Sequence, residues 1–120
     1  MAKETGRVTA TREALLRLQL SAGEMVECLV DTGFTGALVL PQALVTRFNL
    51  PVVGREVFEM VGGRQFIASV AFADIEWLGE MRTVRVIISE DTLLGTELLD
   101  GTQLMIDYIS DTVTVSDEEN

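Results

Sequence analysis

The chain has 120 residues, enough for one domain with its own core but few enough that a second copy would add to its stability. It contains no histidine, which excludes Ser–His, Cys–His and His-ligated metal chemistry within the chain, and a single cysteine, Cys28, which excludes an intrachain disulfide. A formal net charge of −10 argues against nucleic acid or an anionic membrane as partner.

Aliphatic and β-branched residues are plentiful and aromatics few, which predicts a β-rich fold. Residues 1–6 read as a flexible terminus, and no signal-like apolar core or spanning-length segment follows, so a soluble cytoplasmic protein is expected. Alternation at Leu16, Leu18 and Leu20 predicts a strand over about 13–20. Ser21-Ala22-Gly23-Glu24 turns the chain, and residues 25–30 return as its partner, with Cys28 read as a packed core thiol.

The polar turn Asp31-Thr32-Gly33-Phe34-Thr35-Gly36 follows, then an apolar strand over 37–40 and a short helix opened by Pro41. Asn49-Leu50-Pro51 ends that helix. Strands over 55–61 and 64–70 flank a Gly62-Gly63 tip, an ordinary hairpin or a mobile flap. The alternation runs on to Trp77, and a further strand spans 83–88. Leu93-Leu94-Gly95 then leads into a short helix-like stretch, and residues 104–108 and 112–115 close as a hairpin. The acidic end, residues 116–120, is expected to be disordered, leaving one domain over 7–115. A faint internal echo of strand, polar loop and apolar strand links residues around 26–40 with those around 84–99.

Asp-Thr-Gly at 31–33 admits three readings. One is an Asx-turn without chemistry. A second is a phosphate-cradling loop, set aside because an apolar strand follows and no Gly-Lys-Ser/Thr exists. The third is an acid poised for hydrolysis at the end of a buried strand. One chain supplies one such loop, whereas peptide hydrolysis without a metal or covalent nucleophile needs both an acid and a base. A two-fold homodimer would bring Asp31 against its symmetry mate. Two carboxylates ~3 Å apart do not both ionise, so such a pair holds one proton and titrates as a unit.

Leu29-Val30-Asp31-Thr32-Gly33, the Gly-tipped hairpin near 56–70, and Leu93-Leu94-Gly95 with Leu98-Leu99 carry a family resemblance. In this order they resemble the retropepsin-like aspartic peptidases, over about residues 7–115. The fuller strings Val30-Asp31-Thr32-Gly33-Phe34-Thr35-Gly36 and Leu38-Val39-Leu40-Pro41 resemble the bacterial and cyanobacterial branch of that clan. The resemblance implies an all-β fold, a small closed retropepsin-like (acid protease) barrel with one or two short helices, active as a two-fold dimer. It implies an aspartic endopeptidase with no cofactor and no metal, whose partners are itself and a peptide in extended conformation.

By the same resemblance Asp31 is the catalytic carboxylate, Thr32 hydrogen-bonds across the dimer, and Gly33 lies at substrate-contact distance. Met60, Val61, Gly62, Gly63, Arg64 and Phe66 form the flap, and Leu94 with Gly95 supports the catalytic loop from behind. Retroviral members place a small residue where this chain has Phe34, and pair an acid with an Arg where it has Thr35 and Thr96. The alternative function is a non-catalytic retropepsin-like module that binds peptide or dimerises, and a plain β-rich structural domain is the third.

Overall fold

The computed structural model describes residues 2–21, 23–59 and 62–117. Ten strands and two short helices follow one another in the order β1 (Lys3–Val8), β2 (Ala14–Leu20), β3 (Met25–Val30), β4 (Leu38–Leu40), α1 (Gln42–Arg47), β5 (Val52–Glu59) and β6 (Gln65–Trp77). The chain continues through β7 (Glu80–Ile88), β8 (Leu93–Leu94), α2 (Thr96–Leu99), β9 (Gln103–Asp107) and β10 (Thr112–Ser116). The expected all-β class with short helices is what the chain adopts.

All ten strands join one sheet in the order β5-β6-β7-β4-β8-β3-β2-β1-β10-β9. The sheet curls back on itself because β6, besides pairing with β7 over residues 70–77, also pairs with β2 through Ile75 and Glu76. The ring β2-β3-β8-β4-β7-β6 is therefore a closed barrel, and closure removes the exposed edges an open sheet would present. Alternation in β2 sends Leu16, Leu18 and Leu20 inward, where they meet Cys28, Leu38, Leu40, Ile75, Val86 and Leu94. No polar side chain is buried among the described residues. The buried indole of Trp77 keeps its N–H satisfied by donating to the Leu98 carbonyl at 3.1 Å, which ties β6 to α2.

The internal echo has a structural counterpart. β3, loop, β4 and α1 form one unit, and β7, loop, β8 and α2 form another. The two interlock: β3 runs parallel to β8, β4 runs parallel to β7, and β4 and β8 meet antiparallel between them. Parallel pairs cannot come from tight hairpins, so each unit completes its pairing only by borrowing a strand from the other.

Several expected boundaries differ. Residues 3–6, expected to be flexible, pair with β10 in register Lys3↔Ser116 to Arg7↔Thr112. Gly6 marks a close approach: a Cβ there would strike the Leu15 carbonyl oxygen on β2. At the other end Ser116 completes β10, and Asp117 accepts a 3.2 Å bond from the Ala2 N–H, so order extends past 115. Residues 118–120 lie outside the described residues. Pro41 stands just before the helix as the extended N-cap of α1, not inside its first turn.

The long strand β6 also departs from simple alternation. Ala68 and Val70 are buried on one phase, then Ala71, Ala73, Ile75 and Trp77 on the other. The switch lies opposite an irregularity in β5 between Val52 and Gly54. It divides β6 into a hairpin arm shared with β5 and a barrel wall shared with β7.

Candidate active site

The loop after β3 is built by hydrogen bonds from two directions. Asp31 stands half-buried at the end of β3, and its N–H donates to the Leu94 carbonyl of β8 at 2.9 Å. Its Oδ1 accepts the Gly33 N–H at 2.9 Å, and its carbonyl accepts the Phe34 N–H at 3.1 Å. The carboxylate is thus oriented by its own turn, the local geometry that a free-standing Asx-turn also provides. Thr32 and Gly33 are exposed, and the Thr32 hydroxyl makes no hydrogen bond among the described residues.

Behind the loop, the second unit supplies a rigid backing. Leu94 is fully buried, and its register places it beside both Val30 and Leu38. The Gly95 N–H donates to the Ala37 carbonyl at 2.9 Å, and the Thr96 N–H donates to the Phe34 carbonyl at 2.8 Å. A Cβ on Gly95 would collide with the Gly36 carbonyl oxygen and lie 2.5 Å from the Phe34 ring. The same ring would meet a Cβ on Gly36 at 2.6 Å. Phe34 therefore packs over two glycines that leave it room. Thr96 also donates its hydroxyl to the Phe34 carbonyl at 3.3 Å, so neutral hydrogen bonds hold the loop at this point.

Cys28, three residues before Asp31, is fully buried and free. Burial pushes its thiol up to about 12, with the nearby Glu27 charge acting the same way. A thiol so far above its ordinary value is protonated at neutral pH and is no nucleophile.

The hairpin of β5 and β6 stands over one side of this loop. Gly62 and Gly63 turn it at φ of +94° and +80°, and Phe58 stacks on its register partner Phe66 with ring centroids 5.5 Å apart. Arg64 and Phe66 lie on the returning side, while Met60 and Val61 fall outside the described residues. Among the described residues of this hairpin, one lines a cleft with the loop. It is Phe58, which shares a cleft of about 160 Å³ with Phe34, Leu38, Arg85, Ile87 and Glu97. Arg85 of β7 forms an ion pair with Glu56 of β5, across the intervening β6.

Phe58, Arg85 and Glu97 went unnoticed in the sequence. Phe58 was legible only as one alternating strand residue, and nothing local marks Arg85 and Glu97, which reach the cleft through strand pairing and helix placement.

No family model matches this sequence, and no curated protein matches it. Solved structures do. A retropepsin-like aspartic protease from Rickettsia conorii superposes with a TM-score of 0.64 at 15% identity, over 95% of this chain and 92% of that one. The EIAV protease, in complex with an inhibitor, gives a TM-score of 0.59 at 20% identity over 76% of this chain and 88% of its own. This chain has the retropepsin-like fold. A foamy viral protease-reverse transcriptase, bound to an RNA/DNA hybrid, shares it at a TM-score of 0.52 and 15% identity, over 72% of this chain but 11% of that much longer one. Within the retropepsin-like fold, Asp31 and its Leu94-Gly95 backing belong to the interlocked centre of the barrel, and the β5–β6 hairpin is its outlying arm. Among the described residues no helix is long and apolar enough to cross a membrane.

Proposed function

We propose that the protein is a homodimeric aspartic endopeptidase in which each subunit contributes Asp31. The observation that carries this reading is a half-buried carboxylate clamped at the centre of a retropepsin-like fold, present once per chain. Thr32, exposed beside it and without a side-chain hydrogen bond among the described residues, is available to hydrogen-bond across a two-fold axis.

In such a dimer the two carboxylates share one proton. The ionised one takes a proton from a water held between them, and the protonated one donates to the scissile carbonyl oxygen as the water oxygen adds to the carbon. The tetrahedral adduct then collapses as the nitrogen gains a proton and leaves, with no acyl-enzyme formed. The loop backing from Leu94, Gly95 and Thr96 keeps Asp31 from rotating out of line during this sequence. The β5–β6 hairpin, from Met60 through Phe66, serves as the flap that excludes bulk water from the reacting centre.

The test is cleavage of a mixed peptide library by wild type and Asp31→Asn between pH 3 and 8, with sedimentation on the same samples. Asp31-dependent cuts that fade as the shared proton is lost at higher pH, from a protein that sediments as a dimer, are expected. A strict monomer at high micromolar concentration would sink the reading, because one Asp31 is half a site. Peptide binding that survives Asp31→Asn, with no cleavage by wild type at any pH, would instead establish a non-catalytic binding module.

A further inference from the structure

The clefts beside the loop carry a charge pattern that the fold does not require. The first, with Phe34, Leu38, Phe58 and Ile87 as apolar walls, has Arg85 and Glu97 at its rim. The second adjoins it through Thr35 and Glu97 and continues past Leu99 to Asp100. Arg85 is the sole cation among the described residues lining either cleft, and its charge is already taken by Glu56. Glu97 and Asp100 are exposed, and neither carboxylate has a hydrogen-bond or ion-pair partner among the described residues. The groove is therefore apolar along its walls and negative at its mouth, with the positive charge neutralised in place.

We infer that this groove receives a lysine or arginine side chain of an extended peptide, its aliphatic stem between Phe34 and Phe58 and its cationic head at Glu97. The proposal rests on the peptide-acting reading above and specifies its substrate class. Size agrees: about 160 Å³ holds roughly five water-sized groups, matching one long unbranched side chain. Chemistry agrees as well, since such side chains lay their methylenes on apolar surface while the charged end stays wet. An acidic side chain would meet Glu97 and Asp100 and would have to break the Arg85–Glu56 pair to find a partner. An apolar side chain would fill the walls but leave Glu97 unanswered. The chain's net charge of −10 draws cationic peptides toward the groove from a distance.

The experiment uses full-length Asp31→Asn, so that binding is read without cleavage, and fluorescein-labelled extended peptides that differ at one residue: lysine, norleucine or glutamate. Fluorescence anisotropy should show the lysine peptide binding about fivefold tighter than the norleucine peptide, as expected of an exposed ion pair. Glutamate should bind weakest, and added salt should shrink the lysine preference. Placing Glu97→Gln in the same background should bring lysine and norleucine to parity, and Glu97→Lys should reverse the order of lysine and glutamate. Equal affinities, a glutamate preference that Arg85→Met removes, or no binding by any peptide would overturn the proposal. Its failure is distinguishable from failure of the peptidase reading, which is judged separately by Asp31-dependent cleavage in the wild-type protein.

Discussion

The two interlocked units share a topology and differ in what their loops do. In the first unit, the loop between β3 and β4 is pinned at Asp31, Gly33, Phe34, Gly36 and Ala37 by bonds within itself and to the second unit. In the second, the loop between β7 and β8 carries two acids, Glu90 and Asp91, both exposed and without a hydrogen bond from either carboxylate among the described residues. The helix entrances differ in the same way. Pro41 and Gly95 stand at the N-caps of α1 and α2, both in extended conformation, but at Gly95 the opposing loop comes so close that a Cβ would strike the Gly36 and Phe34 carbonyl oxygens. An acid in a turn is common, and what sets Asp31 apart is the second unit packed behind it. On the proposed dimeric reading this asymmetry is why a second copy is needed: the pseudo-repeat provides a scaffold twice but a clamped carboxylate once.

The largest effect should come from the unequal roles of the acids in the two loops. Asp31→Asn should lower peptide cleavage by about 10³-fold or more. Glu90→Gln and Asp91→Asn should leave turnover unchanged and shift stability by less than about 0.5 kcal/mol. Initial-rate assays beside urea denaturation measure both, and a comparable loss of turnover from Asp91→Asn would dissolve the comparison.

Next come the two helix entrances. Gly95→Ala should destabilise the fold by about 3 kcal/mol or more, because the added methyl overlaps backbone and the Phe34 ring, neither of which yields cheaply. Pro41→Ala, made at the equivalent place in the first unit, should cost less than about 1 kcal/mol through the freer unfolded chain alone. Equal costs would mean that the loop is not held against Gly95.

Phe34→Ala should remove about 2 kcal/mol, less than a full core truncation because the ring is half-buried. Combined with Gly95→Ala, it should recover part of that variant's loss but not all of it, since the Gly36 and Phe34 carbonyls still obstruct the new methyl. A double-mutant cycle read from urea midpoints gives the coupling, and strict additivity would rule out their contact.

The smallest effect concerns Cys28 at the root of the first loop, whose place in the second unit is taken by the equally buried Val86. A thiol raised to about 12 in the fold and near its ordinary ~8.5 in the unfolded chain contributes stability that is fully present below ~8.5. That contribution is lost as pH rises toward the folded value, because the unfolded chain releases the proton first. The native protein should therefore resist a thiol reagent at pH 8 and react only after unfolding. Cys28→Ala should lose stability less steeply than wild type above pH 9.

Much of this was readable in advance because it depends on neighbours in sequence. The β2–β3 hairpin, the apolar approach to Asp31 and the Gly62-Gly63 turn all follow from alternation, β-branching and residues that tolerate positive φ. Leu93-Leu94-Gly95 was legible as support for the loop through its resemblance to a known arrangement, though nothing local says that a Gly is needed there for lack of space. Where the reading failed, the missing information was a distant partner. Residues 3–6 look loose until β10 arrives beside them, and nothing local shows that Leu15 crosses close to Gly6. The phase switch in β6 is invisible in a run of small apolar residues that satisfies either face, and the irregularity in β5 decides where it falls.

By itself, then, the sequence determined the β2–β3 hairpin, the inward face of β2 and the acid placed in a glycine-rich turn, since each follows from backbone sterics and hydrophobic period within a few residues. Tertiary structure decided that β6 returns to β2 and closes the barrel, that β8 slides between β3 and β4, and that Phe58, Arg85 and Glu97 meet beside Phe34. Those meetings depend on pairings between segments tens of residues apart. Their loop-closure entropy is offset only by the whole core assembling at once, and no local stretch of the chain encodes that sum.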